Sequence, residues 1–479
     1  MTQVAALDTE ALARKVREVF GDLAIDKRRL PESQLTRRNV PGYVAEWVLD
    51  SVVPGEGPLT PAEADKVQKW AERVIPGAND QNLIKNRLTT GEMVKILTHL
   101  QIEVILNRTR QESIGNLTLI GIKDAHVPPR LAEQHPALLQ QGMWGITELV
   151  STKDGPAVVG FKPMQATIDI SLLKEARSRF TLEEWRALLV TSMGYNPTAF
   201  TVSEQSLLLC RLLPLVQKSM HLIELAPKGT GKSYIFENIS PRVRLISGGT
   251  VSPAVLFVNN QNGIAGLLAR FAVVVLDEVQ TLKFEKPEEI VGGLKGFLAN
   301  GRLTRGGLHE LSSDCSFVML ANIALDERLK PIHDPVTYDL PKFLQETAFL
   351  DRVRGIIPGW ELHKLTRDSF ATSLGLKADF FGDALLELRE DLSHDQYVSM
   401  NIAWPEHVFK RNTDSVQMIA SGLRKLLFPH SEHSASEFYR YCVQPALDLR
   451  QRVWDVLYAT DTENHKFDRD IRCTVKNAL

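Results

Sequence analysis

The stretch LIELAPKGTGKSYIF has the residue types and the spacing of a loop that binds nucleoside phosphates. Its glycines would let backbone N–H groups turn toward a β-phosphate, its second lysine would reach the β- and γ-phosphates, and its serine hydroxyl would ligate Mg²⁺. A strand-like run precedes this loop and a helix-compatible run follows it, as such a loop requires. We therefore predict ATP and Mg²⁺ as cofactors, bound by Gly229, Thr230, Gly231, Lys232 and Ser233.

The loop departs from the usual GxxxxGK[ST] pattern at its first position, where Ala226 replaces glycine. Alanine tolerates most loop conformations but not a positive φ. We therefore expect the entry to the loop to differ slightly, while Gly229 and Gly231 keep the phosphate cradle.

The segment FAVVVLDEVQ offers the acidic half of the site. Its apolar run predicts a buried strand that ends in Asp277, a ligand for the Mg²⁺ water shell, and Glu278, a base for the attacking water. An ordinary acidic strand end is the alternative. Asn322 ends another strand-like run, SFVMLAN, and is predicted to hydrogen-bond that water or the γ-phosphate. A turn or capping asparagine is the alternative there.

Two arginine positions could complete the chemistry. In FLDRVRGIIPGW, Arg352 and Arg354 come just before a strand. An arginine there would reach the γ-phosphate of a neighbouring subunit in a ring and stabilise transition-state charge, unless it pairs with Asp351. Arg424, in the helical run SVQMIASGLRKLLFP, would fold back over its own nucleotide site or lie on a solvated helix face.

The elements that must position these residues follow from periodicity and turn residues. Short apolar strands alternate with helices around the phosphate loop, which predicts an α/β fold with a five-stranded parallel sheet. Capping boxes at Thr60–Glu63 and Thr181–Glu184 mark the beginnings of two helices outside that sheet. The predicted domains are a helical domain (1–100), a β-rich, barrel-like domain (101–170), a helical linker (171–215), the nucleotide-binding core (216–360) and a helical lid with C-terminal helices (361–479).

Composition narrows the class further. The 479 residues are 44% hydrophobic, enough for more than one core, and 56 basic residues nearly balance 58 acidic ones. Any nucleic-acid surface must therefore be local. Four widely spaced cysteines suit a reducing cytoplasm, and the sequence offers no apolar run long enough to cross a membrane. We predict a cytoplasmic protein without membrane contact.

The order of these motifs, with LIELAPKGTGKSY, VVVLDEV, ETAFLDRVRGIIPGWE, SGLRKLLFPH and the N-terminal RRNVPGYVAEWVL, resembles the Lon-protease-like AAA+ proteins of BREX phage-exclusion systems. The resemblance covers most of the chain. It implies a ring, either a hexamer or a stacked double hexamer, with other phage-defence proteins as partners. It also implies roles for three residues: Asn322 as the sensor, Arg352 as the finger acting across subunits and Arg424 as the lid sensor.

Longer members of that family carry a Ser/Lys peptidase after the lid. Here the remaining tail, with SEFYRYCVQPALDLRQRVWDVLY, predicts a single amphipathic helix and offers no serine nucleophile with a partner lysine. We expect a short form without peptidase activity, whether naturally short or a piece of a longer chain.

The ATP energy would move a polymer through the ring, and duplex DNA is the predicted one. The basic segment DKRRLPESQLTRR and the Gly-rich GFLANGRLTRGGLHE could contact phosphates, although solvated faces and a plain crossover loop explain them equally well. The candidate DNA contacts are Lys27, Arg28, Arg29, Arg37, Arg38, Arg302 and Arg305.

The alternative function is a protein unfoldase or remodelling ATPase that hands its substrates to a separate protease or partner. Such machines grip side chains with an aromatic-hydrophobic pore loop between the first two motifs. The corresponding run here, SGGTVSPAVLFVNNQNGIAG, has Phe257 in an apolar context that favours packing over exposure. The sequence therefore favours DNA over polypeptide.

Overall fold

The computed structural model describes residues 7–38, 40–77, 79–106, 111–164, 169–259, 264–305 and 309–476. In these ranges no helix combines the length and the apolar character needed to span a lipid bilayer.

The N-terminal region is mainly helical. Asp8 caps its first helix, and Thr60 and Glu63 form the predicted capping box with Pro61 in the first turn of another. The apolar faces of the later helices pack together and against one side of the following barrel. The elements are α1 (Thr9–Phe20), β1 (Ala24–Asp26), α2 (Arg29–Ser33), α3 (Gly42–Val52), α4 (Pro61–Val74) and α5 (Gln81–Thr89).

A β-barrel follows, built from β2 (Val94–Leu106), β3 (Gln111–Leu117), β4 (Ile122–His126), α6 (Pro129–Gln134), β5 (Met143–Thr152) and β6 (Gly155–Pro163). Within the described residues, five strands close in the order β2-β3-β4-β6-β5. The alternating pattern of β2 and β5 places one face in the barrel core. The first strand of the barrel starts at Val94, so the range 1–100 predicted to be helical ends in strand.

Short helices connect the barrel to the parallel sheet that follows: α7 (Ile170–Arg177), α8 (Leu182–Ser192), α9 (Val202–Cys210) and α10 (Leu213–Val216). Thr181 and Glu184 form the second predicted capping box at the start of α8. The ring of Phe180 lies 5.8 Å from that of Trp185, so the residue before the cap packs onto the helix. These helices share the large core of the sheet.

The nucleotide-binding core is an α/β layer structure. In the described part of the chain, five parallel strands form its sheet in the order β15-β7-β14-β10-β8, confirming the predicted parallel sheet. The middle strands are buried on both faces, which explains their continuous apolar runs. The elements are β7 (Leu222–Ala226), α11 (Tyr234–Asn238), β8 (Val243–Ser247), β9 (Thr250–Val251), α12 (Pro253–Leu256), α13 (Leu267–Arg270), β10 (Val273–Asp277), β11 (Lys283–Phe284), α14 (Pro287–Asn300), β12 (Arg302–Arg305), β13 (His309–Ser312), β14 (Ser316–Asn322), α15 (Thr347–Leu350) and β15 (Gly355–Pro358).

The C-terminal region contains β16 (Leu374–Leu376), α16 (Ala378–Leu388), α17 (Ser393–Asn401), β17 (Ile402–Ala403), α18 (Lys410–Leu427), α19 (Ala435–Phe438), α20 (Gln444–Thr460) and β18 (Thr474–Val475). Strand β16 pairs with β1, which ties this region to the N-terminus. The tail predicted as one helix has a π-helical turn at Tyr439–Val443, just before Pro445. Proline lacks a backbone N–H, and the wider turn accommodates the interrupted hydrogen-bond ladder.

Candidate nucleotide-binding site

The phosphate loop leaves β7 at Ala226 and turns back at its glycines. Gly229 and Gly231 have φ values of 89° and 72°, a region that favours glycine. Ala226 is still in strand, opposite Asn322 of β14. Since an extended strand residue needs no positive φ, the missing first glycine of the motif is no obstacle to this loop.

Lys232 lies at the centre of the site, and its side chain is buried. Its Nζ donates to Asn322 Oδ1 at 2.8 Å and to the carbonyl of Pro227 at 3.3 Å. Burial lowers the pKa of Lys232, while the nearby carboxylates of Glu224 and Asp277 oppose that effect. A buried ammonium with two neutral oxygen partners is well suited to receive a phosphate.

The two predicted acids follow β10 at the same edge of the sheet. Asp277 accepts a hydrogen bond from Ser233 Oγ at 2.8 Å, so the two predicted metal ligands are adjacent. Glu278 has a φ of 45°, unusual for a residue with a Cβ. Asn322 Nδ2 donates to Glu278 Oε1 at 3.1 Å. The amide of Asn322 therefore joins the lysine to the predicted base, and strain of this kind is typical of functional sites.

The donor set fits Mg²⁺ and a triphosphate. A serine hydroxyl and a carboxylate are hard oxygen ligands, which Mg²⁺ prefers, and one or two such protein ligands beside phosphates suffice for it. The helix after the loop, α11, spans only five residues. Backbone N–H groups of the glycine turns and Lys232 would therefore supply most of the phosphate contacts.

An arginine outside the motifs holds the loop from behind, and sequence reasoning missed it. Arg211 is fully buried between α9 and α10, and its guanidinium pairs with Glu224 of β7 at 2.6 Å. The same group donates to the carbonyl of Thr230 at 3.1 Å, and Tyr195 Oη donates to that of Gly231 at 3.0 Å. The glutamate inside the apolar strand LIEL was the available signal, because a buried carboxylate requires a partner.

Arg352, the predicted arginine finger, lies at the amino end of the parallel strands, whereas the phosphate loop lies at their carboxyl end. Arg352 and Arg354 precede β15, whereas the loop follows the parallel strand β7. Both arginines line an open pocket of about 450 Å³. Asp351 pairs with Arg411 and Arg450 and not with Arg352, so the alternative pairing considered for Arg352 does not form.

The prediction for Arg424 is wrong in both of its forms. Its side chain is 2% exposed, and it donates to His433 Nε2 at 2.8 Å and contacts His394 Nδ1 at 2.8 Å. The guanidinium also stacks 3.9 Å from the centre of the Tyr397 ring. All of these partners belong to the C-terminal helices, so Arg424 holds that bundle together and neither covers the nucleotide site nor faces solvent.

The prediction of a basic patch in the segment 26–38 is wrong for two of its residues. Lys27 forms a buried ion pair with Glu46 at 2.7 Å. Arg29 is 2% exposed and pairs with Glu63 at 2.7 Å. Arg28 is partly exposed but forms a fork with Asp26. These side chains point inward because the short elements β1 and α2 pack against α3 and α4.

The remaining candidate DNA contacts differ in exposure. Arg37 is exposed, and Arg38 lies 3.7 Å from Glu72. Arg302 is exposed at the start of the β12–β13 hairpin, 3.6 Å from Glu310. The side chain of Arg305 lies outside the described residues, as do residues 306–308 at the tip of the hairpin.

The aromatic residue of the region considered for a pore loop is packed, whereas Val255 and Ile264 of the same run are each 41% exposed. Phe257 is 1% exposed, and its ring lies against Gly293 of α14 closely enough to exclude a Cβ there. Residues 260–263 of the same run lie outside the described residues. The expectation that Phe257 is packed is confirmed.

Two family models together match most of this chain. Residues 157–470 match the model of the ATPase domain of Lon-like protease BrxL-like proteins. Residues 18–150 match the model of the N-terminal region of the BREX system Lon protease-like protein BrxL. A solved full-length MCM homolog from Methanopyrus kandleri is 12% identical, with a TM-score of 0.42 over 89% of this chain and 100% of that chain.

Two curated relatives match most of the chain. The Lon-like protease BrxL of Escherichia coli O9:H4 (strain HS) is 29% identical over 435 residues, which is 88% of this chain and 61% of the relative. The Lon-like protease BrxL of Bacillus cereus (strain H3081.97) is 28% identical over 441 residues, which is 88% of this chain and 63% of the relative. The chain thus spans less than two thirds of their length. With both of its family models matched in order, the chain belongs to the BrxL family of Lon-like BREX proteins.

Proposed function

We propose that the chain is a ring-forming ATPase that binds duplex DNA, translocates on it, and acts with other proteins in BREX-type defence against phage. The observation that carries the ATPase is the hydrogen-bonded set Lys232, Asn322 and Glu278, beside the pair Ser233 and Asp277. Each of these residues has a separate task in phosphoryl transfer, and all lie at one edge of the sheet.

Each side chain then has a defined part. Lys232 would neutralise charge on the β- and γ-phosphates, and Ser233 and Asp277 would hold Mg²⁺, which would supply further positive charge for the reaction. Glu278 accepts a proton from the attacking water. The amide of Asn322 hydrogen-bonds both Lys232 and Glu278. One of these two hydrogen bonds would break when the phosphate binds. The amide N–H of Asn322 would then orient the attacking water.

The position of Arg352 and Arg354 supports a ring. They stand at the edge of the sheet opposite their own phosphate loop, in an open pocket. In a ring, a neighbouring copy of the chain would bring its γ-phosphate to them, and a guanidinium supplied in trans typically contributes about 10³–10⁵-fold to turnover. The hexamer and the stacked double hexamer are both compatible with such an arrangement.

The choice of duplex DNA rests on surface chemistry. Arg302 is exposed on a hairpin between the acidic motif and the sensor strand, and a small barrel precedes the ATPase. Barrels of this size bind oligonucleotides in many proteins, which is support by analogy. The burial of Phe257 counts against a ring that grips polypeptide.

Two variants test the ATPase. Glu278→Gln should bind ATP and lose turnover by about 10²–10⁴-fold, since it removes only the base. Arg352→Ala should lose turnover and keep nucleotide binding. Mixing the two variants should restore part of the activity, because a mixed ring contains interfaces with both residues intact. Undiminished hydrolysis by Glu278→Gln would remove that residue from its role.

The polymer is tested by stimulation of ATP hydrolysis. Duplex DNA should stimulate turnover, and the effect should weaken steeply as salt rises, because phosphate contacts release counterions. Stimulation by an unfolded polypeptide alone would contradict the DNA proposal and favour the remodelling ATPase.

A further inference from the structure

A polar cleft separates the barrel from the ATPase sheet. It has a volume of about 540 Å³ and is open to solvent. Residues 139–141 line its barrel side, and the starts of β8 and β10, the end of β13 and the end of α16 line the other. None of the motifs identified in the sequence lies in it.

Arginines dominate the ATPase side of the cleft. Arg242 and Arg270 line it, and Arg244 is exposed close by on β8, the edge strand of the sheet. Among the described residues, none of these three guanidinium groups forms a side-chain hydrogen bond or an ion pair with a carboxylate; Arg270 lies 5.9 Å from the Phe271 ring. Asp383 interacts electrostatically with Arg242, but burial raises the pKa of Asp383 to about 7, so this carboxyl is only partly charged at pH 7. Glu103 acts on Arg270 without forming an ion pair with it.

The groups that face these arginines do not neutralise them. Asp314 and Glu390 in the cleft contact Lys218 at 3.4 and 2.6 Å. Arg389 forms the floor, where it donates to the carbonyls of Pro214 and Ala272. From the barrel side, burial and the neighbouring Arg244 lower the pKa of His99 to about 4, so this group is neutral at pH 7.

Like charges strain one another in this cleft. Burial and Arg244 lower the pKa of Arg270, and only the more distant Glu103 opposes this. A bound anion would relieve that repulsion. Arg242 lies in the turn before β8, and Arg244 is the second residue of that strand, so one end of the edge strand carries two cations. A polyanion offers several phosphates to such a group of cations.

The cationic surface continues toward the β12–β13 hairpin. Ser312 lines the cleft and is the direct pairing partner of Arg302 across that hairpin. Residues directly opposite in an antiparallel pair point to the same face. A DNA backbone lying in the cleft would therefore extend toward Arg302 and could contact it as well. A free phosphate ion or a single acidic side chain is too short to contact both places.

We propose that the cleft between barrel and ATPase sheet binds the phosphate backbone of duplex DNA through Arg242, Arg244 and Arg270. The inference rests on the proposed DNA-dependent ATPase and adds a contact surface that lies outside both basic segments recognised in the sequence. It also gives the barrel a role, which is to form the second wall of this track.

The test compares two triple variants of the full chain. Arg242→Gln, Arg244→Gln and Arg270→Gln together remove the cleft charges. Arg14→Gln, Arg73→Gln and Arg328→Gln together remove the same charge from exposed positions on α1, α4 and the segment after β14. Binding of a fluorescent duplex is measured by anisotropy between about 50 and 200 mM salt.

The cleft variant should bind duplex DNA at least about tenfold more weakly than the control variant. The steepness of the decrease of log K with log salt should fall by about 2 to 3, which is near 0.9 for each of the three lost phosphate contacts. ATP hydrolysis without DNA should persist in both variants. Arg244→Gln alone, on an exposed side chain, should lower the slope by about 0.9 and serves if the triple variant does not fold.

Two results would overturn the inference. If the unmodified chain binds duplex DNA and the cleft variant matches the control in affinity and slope, the cleft assignment is wrong while the proposed function stands. If the unmodified chain hydrolyses ATP but binds no duplex, the DNA part of the proposed function fails and the cleft assignment fails with it.

Discussion

Two regions of this chain are rich in side chains suited to phosphate, and the fold uses them in opposite ways. At the nucleotide edge, Lys232 is buried, and its ammonium donates hydrogen bonds only to neutral oxygens. In the segment 26–38, Lys27 and Arg29 point inward and form ion pairs with Glu46 and Glu63. Both regions contain basic residues, but only in the nucleotide site does the local sequence fix the position of the basic side chain.

The difference lies in how each lysine is constrained. The glycine turns at 229 and 231 and the preceding strand set the position of Lys232 within a few residues of backbone. The orientation of Lys27 depends on Glu46, which α3 brings from a distant part of the sequence. A run of charges therefore predicts a phosphate surface only when its own backbone geometry excludes an internal partner.

The largest effect should come from removing the lysine of the nucleotide site, which tests whether Lys232 acts on the phosphates. Lys232→Ala should lower ATP hydrolysis by at least about 10²–10³-fold, because a preorganised cation facing developing charge is lost. Lys228→Ala, an exposed lysine of the same loop, is the control and should keep most of the activity. Steady-state turnover and binding of a fluorescent nucleotide give the measurement; equal losses in both variants would contradict the assignment.

The corresponding change in the N-terminal segment should affect folding. Lys27→Ala leaves Glu46 as an unpaired buried carboxylate, which typically costs about 3–5 kcal/mol. DNA affinity per folded molecule should stay the same. Urea denaturation measures the first quantity and anisotropy the second.

The control for that change is the double variant Lys27→Met with Glu46→Gln, which should recover most of the stability because neither charge remains and the amide oxygen can still accept from the N–H of Ala378. Unchanged stability together with weaker DNA binding in Lys27→Ala would restore Lys27 as a contact residue.

A smaller effect tests whether the nucleotide edge also depends on distant partners. Tyr195→Phe removes one hydrogen bond to the carbonyl of Gly231, which should cost about 1 kcal/mol. Since that carbonyl belongs to the phosphate loop, the Kd for ATP should rise severalfold. Tyr234→Phe, on a neighbouring ring, serves as the control. Loss of stability without any change in Kd would limit Tyr195 to packing.

The smallest effect concerns the departure from the family motif. Ala226→Gly would restore the usual first glycine but adds flexibility to a buried strand end, so it should destabilise the protein by about 0.5–1 kcal/mol without raising turnover. Thermal unfolding and steady-state turnover check the two parts. A gain in activity would show that the alanine restricts the loop.

Much of the architecture was accessible from local pattern. The five parallel strands, both capping boxes and the packed state of Phe257 follow from the periodicity of short segments. The errors have one cause in common. Arg424 and Lys27 were placed by motif order and by composition, whereas their side-chain partners lie 9 to 30 residues away, outside the helix or turn that carries each side chain.

The sequence by itself determined the nucleotide edge, because glycines, lysine and acids at fixed offsets from apolar strands leave little freedom for where those side chains go. The tertiary structure alone decided which other arginines are available. Arg211 and Arg424 became internal braces, while Arg242, Arg244 and Arg270 kept their charge without a carboxylate partner among the described residues. A charged side chain is long and flexible, so its role depends on which distant carboxylates and carbonyls the folded chain brings within hydrogen-bond distance, and no local pattern encodes that.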